Sequence, residues 1–152
     1  MNTSRPTMDV AAFIAAAESL NQNSVQQLSA FYAEDCRFSD PFQTVQGRDQ
    51  VQAVYRDMFE HLDQPRFSRV RVLAAPDPAG QEVMIGWDFE FSLAKGRPRQ
   101  VIAGCSRLVL NADGKIQEHV DYWDASRLIQ TFPLIGPVIS WLRRKIGHTA
   151  SH

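Results

Sequence analysis

The sequence predicts an α+β domain, a mostly antiparallel sheet covered by helices that come first in the chain. Three observations predict it. Apolar residues recur at helical spacing in three stretches before residue 63. From Phe67 to Trp123 the period falls to two, in four successive runs. Those runs are joined by short links rich in turn residues: Asp77-Pro78-Ala79-Gly80, Lys95-Gly96-Arg97-Pro98 and Asn111-Ala112-Asp113-Gly114. Strands joined so closely form an antiparallel meander. A lone sheet must then bury one face under the helices.

Each element follows in order. Met1 to Met8 reads as a mobile tail, and Asp9 as the cap of a first helix. Val10, Phe13, Ile14, Ala17 and Leu20 mark its buried face, and Asn21 to Asn23 breaks it. Ser24 and Gln27 form a capping box for a second helix, with Leu28, Phe31 and Tyr32 inward. Cys36 to Asp40 is the first strand. Val51, Val54, Tyr55, Met58 and Leu62 make the apolar stripe of a third helix. The meander runs through Phe67 to Ala75, the strand after Gly80, Arg99 to Leu110 and Lys115 to Trp123. In its second strand Val83, Ile85, Trp87, Phe89, Phe91 and Leu93 share one face, expected to be concave. Glu82, Asp88, Glu90 and Ser92 share the other, expected to meet solvent or a second subunit. The domain thus spans 9–124, and 125–147 forms a helical extension.

Composition excludes several classes. A chain of 152 residues favours one domain. Sixteen basic against 17 acidic side chains give no electrostatic case for nucleic acid. Cys36 and Cys105 lack metal-ligand spacing, as do His61, His119, His148 and His152, so no metal and no cofactor is expected. With no targeting segment at the N-terminus, reduced thiols and a cytoplasmic location are expected.

The chemistry centres on Asp40. Pro41 holds it extended at the end of a strand, between Phe38 and Phe42, on the edge of an apolar region. It reads either as a general base or as a strand-ending Asp that accepts local amide bonds. His119, Asp121 and Trp123 alternate on one face of the last strand. They face inward as an acid/base group, or face water while Glu118 points in.

The run Tyr32-Ala33-Glu34-Asp35 with Asp40-Pro41-Phe42, then Gly47-Arg48 and a helix, resembles the ketosteroid isomerase branch of the nuclear transport factor 2-like (SnoaL-like) superfamily. The resemblance covers roughly Asp9 to Trp123. It implies a cone, cystatin-like, around a ligand pocket. It implies Asp40 as a base moving a proton on a small apolar carbonyl compound, with Tyr32 and Tyr55 in the pocket wall. The family's two oxyanion donors fall on Ala16 and Ser106, a non-donor and a weaker one. A pocket strand bearing Asp121 with His119 resembles that of SnoaL-like cyclases. Limonene epoxide hydrolases share the fold but need an Arg and an Asp inward on one strand. The Arg99 to Leu110 strand offers Arg107 and no Asp.

Two functions are therefore expected. One is an isomerase- or cyclase-like enzyme with Asp40 as base, Asp121 and His119 as second acid/base, and Tyr55 and Ser106 as donors. Tyr32, Trp87, Phe89 and Trp123 would complete its wall. The other is a non-catalytic ligand-binding or dimerisation module. A homodimer through the outer sheet face is expected in either case. Within the apolar segment Ala125 to Gly147, the run from Leu128 to Leu142 is too short and too broken by Pro133, Gly136 and Pro137 to span a bilayer, which needs about 20 residues. It closes the pocket mouth, packs on a partner subunit, or lies on a membrane surface with Arg143, Arg144 and Lys145 toward phosphates. Packing at the pocket mouth is the reading favoured here.

Overall fold

The computed structural model describes residues 7–74, 76–79 and 81–131. The elements run α1 (Val10–Glu18), α2 (Val25–Ser29), β1 (Tyr32–Ser39), β2 (Thr44–Gln46), α3 (Arg48–His61), β3 (Asp63–Ala74), β4 (Glu82–Ser92), β5 (Gln100–Leu110), β6 (Ile116–Trp123) and α4 (Ala125–Ile129). This is the expected α+β class. One six-stranded sheet has the order β2-β1-β6-β5-β4-β3. Strands β3 to β6 form the antiparallel meander. Strand β1 joins β6 in parallel, a pairing that local sequence does not announce.

Local chemistry explains most boundaries. The Asp9 carboxylate accepts the Ala12 N–H at 2.9 Å and starts α1. The Ser24 box does not form. Its hydroxyl instead accepts the Asn21 N–H at 2.9 Å, closing the turn before α2. The first strand begins at Tyr32, not Cys36. The Ile116 N–H bonds the Phe31 carbonyl at 2.9 Å, and the Arg48 guanidinium donates twice to the Tyr32 carbonyl. These tertiary bonds override the helical propensity of Tyr-Ala-Glu.

Facing pairs set the inner surface. Ile85 lies opposite Ser106, Trp87 opposite Gly104, and Ser106 opposite Asp121. Val83, Ile85, Trp87 and Phe91 are buried on this side, so the predicted concave face of β4 is correct. The outer face departs from expectation at Asp88 and Ser92, each only 6% exposed. Strand β3 is irregular at Arg69, which has φ of 49°, and the Val70 N–H leaves the ladder to bond Glu18 at 2.9 Å. The Arg69 side chain then covers Asp88 as an ion pair, and Arg66 likewise pairs with Glu90.

Met8 is buried in the core, while residues 1–6 lie outside the described residues. Most of the apolar extension also lies outside them, including Pro133, Trp141 and the Arg143 to Lys145 triplet. Of the predicted helices there, only α4 is described. No described helix is long and apolar enough to cross a membrane.

A Cβ placed on Gly104 would sit 2.3 Å from the Trp87 ring. Gly104→Ala is expected to displace that indole and cost about 1–3 kcal/mol, read by chemical denaturation. A Cβ on Gly86 meets only Leu73, which is 51% exposed and free to swing away. Gly86→Ala is expected to cost less. Equal costs at the two positions would contradict this account of the Trp87 seat.

Candidate active site

The inner face of the sheet and α3 enclose a cavity of about 280 Å³. Its walls are mainly aromatic: Phe38, Phe67, Trp87, Phe89, Phe91 and Trp123 all line it. Phe42 stands at the mouth with its ring edge-on to Trp123. Leu128 of α4 also reaches the cavity wall. Helix α3 contributes Val54 and Tyr55 and, one turn on, Met58 from its apolar stripe.

Behind the apolar wall lies a chain of polar groups drawn from α3 and four strands. His119, Asp121 and Trp123 face inward on β6, because they pair with Leu108, Ser106 and Gly104 of the inner face of β5. The Asp121 Oδ1 atom lies 2.6 Å from His119 Nε2 and 2.5 Å from Ser106 Oγ. His119 Nδ1 lies 2.7 Å from the Tyr32 hydroxyl, which is 3.2 Å from the Tyr55 hydroxyl. The Trp87 Nε1–H donates to Ser106 Oγ at 2.8 Å. With Asp121 as the carboxylate, one assignment supplies every member with a partner. Tyr55 donates to Tyr32, Tyr32 to His119 Nδ1, and His119 Nε2–H and Ser106 to Asp121. Among the described residues no buried side-chain nitrogen or oxygen lacks a partner.

Only part of this chain touches the main cavity. Asp121, Tyr55 and Trp87 line it; His119 and Ser106 line a small inner void behind them. Tyr32 is fully buried. Both hydrogen bonds to Asp121 fall on Oδ1, and none from the described residues falls on Oδ2. The carboxylate is thus held by one oxygen and offers the other.

Asp40 has a different environment. It follows β1, half-buried, on the same cavity wall. Its Oδ1 accepts the Phe42 and Gln43 N–H groups at 2.7 and 3.0 Å, and its Oδ2 the Gln43 side-chain amide at 3.2 Å. Its carboxylate therefore closes the turn between β1 and β2, as a strand-ending Asp before a proline can.

The remaining sequence-derived candidates fall into place around this frame. Tyr32, Tyr55, Trp87 and Ser106 join the polar chain, while Phe89 and Trp123 are wall. Ala16 is partly buried against the core and has no hydrogen to give. Arg107 points outward to Glu82 and Glu118, so β5 brings no guanidinium inside. Asp57 and His61 at the cavity rim escaped sequence reasoning. Their signal was the four-residue spacing beside Val54 and Met58 on the third helix. No group of described residues could hold a metal ion.

Burial holds the Tyr32 and Tyr55 hydroxyls well above the usual tyrosine range, and the nearby Asp121 charge pushes both further up. Both are therefore neutral donors in the folded protein. The unfolded chain loses these protons near pH 10, the folded chain only at higher pH, so the stability they contribute declines as pH rises past about 10. Spectrophotometric titration should show Tyr32 and Tyr55 ionising only as the fold opens. Three tyrosinates forming reversibly near pH 10 in folded protein would contradict the burial argument.

Residues 10–119 match the family model described as SnoaL-like domain. No curated protein matches the chain. Among solved structures, a candidate polyketide cyclase from a Silicibacter species is 16% identical, with 85% of this chain and 98% of that one covered and a TM-score of 0.66. A candidate polyketide cyclase from Xanthomonas campestris pv. campestris is 19% identical, covering 79% and 90%, with a TM-score of 0.65. A hypothetical protein of ketosteroid isomerase-like fold from Catenulispora acidiphila, in complex with trimethylamine, is 19% identical, covering 81% and 91%, with a TM-score of 0.64. Identities this low carry the fold alone. The family match, spanning most of the chain, shows that this protein belongs to the SnoaL-like domain family.

Proposed function

We propose that the protein is an isomerase- or cyclase-like acid/base enzyme that acts on a small apolar carbonyl compound, with Asp121 as base. One observation carries the reading. Asp121 stands on the wall of an apolar cavity, anchored through Oδ1 by His119 and Ser106, with Oδ2 directed to no described protein group. A base must reach its proton without surrendering its position. Asp40, the base implied by the family resemblance, already uses its carboxylate in the turn, so the role passes to Asp121. The base Oδ2 takes a proton from the carbon beside the carbonyl. The Tyr55 hydroxyl, 3.2 Å from that of Tyr32, turns its one hydrogen from Tyr32 to the developing oxyanion, while Tyr32 keeps its own on His119. Asp121 then returns the proton at a second atom of the ligand, or the carbanion adds to a second carbonyl carbon of the same ligand, whose C=O π bond opens to an oxyanion that takes the proton back from Asp121.

The cavity is near the small end of ligand pockets, roughly 300–1,000 Å³, which suits a monocyclic or bicyclic substrate. Steroid isomerisation is disfavoured for a further reason. Ala16 donates nothing and the Ser106 hydroxyl is engaged by Asp121, and each missing oxyanion donor costs about 10²–10³ in rate.

One observation favours the non-catalytic module instead: the polar chain is satisfied without any ligand. Hydrogen–deuterium exchange beside the carbonyl of β-tetralone in deuterium oxide, followed by NMR, separates the two. Exchange above the buffer rate is expected, falling about 10²-fold or more in Asp121→Asn and much less in Asp40→Asn. No protein-dependent exchange would favour the module. Loss in Asp40→Asn alone would return the role of base to Asp40.

We also propose a homodimer through the outer sheet face, where Val101 and Tyr122 are 50% and 52% exposed. Sedimentation at micromolar concentration should give a dimer, weakened by Tyr122→Glu. A monomer of 17.2 kDa in the unsubstituted protein would refute it.

A further inference from the structure

The lining of the cavity has a consistent electrostatic sign. Asp40, Asp57 and Asp121 all line it, and among the described lining residues there is no lysine or arginine. The arginines near the sheet are turned away: Arg66, Arg69 and Arg107 pair with carboxylates on the outer face. His61 at the rim is within 2.8 Å of the Asp57 carbonyl through Nδ1, and His119 is behind Asp121 rather than on the wall. The fields of Asp121 and Asp40 converge on one point, since both push the Tyr55 hydroxyl up.

The rest of the wall complements the same sign. Phe38, Phe67, Trp87, Phe89 and Trp123 surround the space. Aromatic faces carry negative potential and attract ammonium groups that sit over them. An apolar wall also lowers the local dielectric and lengthens the reach of each carboxylate. The same lining works against an anion. An enolate formed here meets the Asp40 and Asp57 carboxylates, the newly protonated Asp121 and one neutral tyrosine donor, Tyr55.

We propose that the occupant of this cavity is a small lipophilic ammonium ion, and that the carbonyl substrate of Asp121 therefore carries a protonated amine. This rests on the reading of Asp121 as the cavity base, and it supplies what that reading lacks. A cationic amine on the substrate offsets the charge that develops when the carbon proton moves to Asp121. The product of that step is then a zwitterion, in place of a net anion among carboxylates. The preference comes from the walls, so it holds for binding as well as for turnover.

The test compares β-aminotetralin, a cation at neutral pH, with neutral β-tetralol of the same ring system, by isothermal titration calorimetry on the full chain at low salt. The amine is expected to bind at least about tenfold tighter. Asp57→Asn at the exposed rim is expected to narrow that preference several-fold without disturbing the fold, and added salt to narrow it also. Equal binding, or tighter binding of the alcohol, overturns the proposal. The β-tetralone exchange experiment reports separately. Exchange that depends on Asp121 without any preference for the amine overturns this inference and leaves the enzyme reading standing. A clear preference for the amine without exchange overturns the enzyme reading, and with it the assignment of a substrate to Asp121, and leaves standing the ammonium ion as the occupant of the cavity.

Discussion

The contact between Tyr32 and His119 joins residues 87 apart in sequence and is the constraint on which the interior depends. It crosses the parallel seam between β1 and β6, the one place where the sheet is not built from neighbours in sequence. A buried imidazole needs a partner at each nitrogen, since an orphaned buried group costs about 1–3 kcal/mol. Tyr32 serves one nitrogen; Asp121 serves the other. Slipping β6 by one residue against β5 would turn His119, Asp121 and Trp123 outward together. It would also strip the Ser106 hydroxyl of its Asp121 acceptor. The hydrophobic faces alone define such a register less sharply, because Val120 and Tyr122 could themselves fill an apolar face. The polar chain thus selects among sheets that apolar burial alone would tolerate.

Legibility in the sequence followed the range of the interactions. The face of β4 could be read because its apolar residues alternate over the whole strand. The stripe of α3 could be read for the same reason at a different period. The start of β1 could not, because Tyr32 is held by bonds from Arg48 and by pairing with β6. No window around Tyr32 contains those partners. Ser24 failed as a cap because Asn21, three residues earlier, took its hydroxyl for a turn. Both readings of Asp40 were open from the start. The structure shows the local amide bonds in place, and such bonds are what a strand-ending Asp before a proline makes in any context.

The site shows how a buried polar chain can divide its work. Oδ1 of Asp121 takes the His119 and Ser106 hydrogens, which orient the carboxylate. A carboxylate has lone pairs on both oxygens, so orientation by one does not silence the other. Trp87 takes part twice, its ring on the cavity wall and its N–H on Ser106. Gly104 makes room for that ring on the facing strand. The shape of the cavity and the orientation of the Asp121 carboxylate are therefore coupled through a single indole.

That coupling bears on how members of one fold diverge in chemistry. In the resembled isomerases the donors at the two positions matched here by Ala16 and Ser106 serve the ligand oxygen. Here the first is absent and the second is turned toward a carboxylate on the next strand. The electrostatic balance of the cavity changes with it, from one base facing strong donors to several carboxylates facing one tyrosine hydroxyl. A pocket of that balance stabilises positive charge in its occupant better than negative charge. The fold supplies the cone and its aromatic lining, while a few side chains, Asp40 after β1, Asp57 on α3 and Asp121 on β6, set the sign of the charge that lines it.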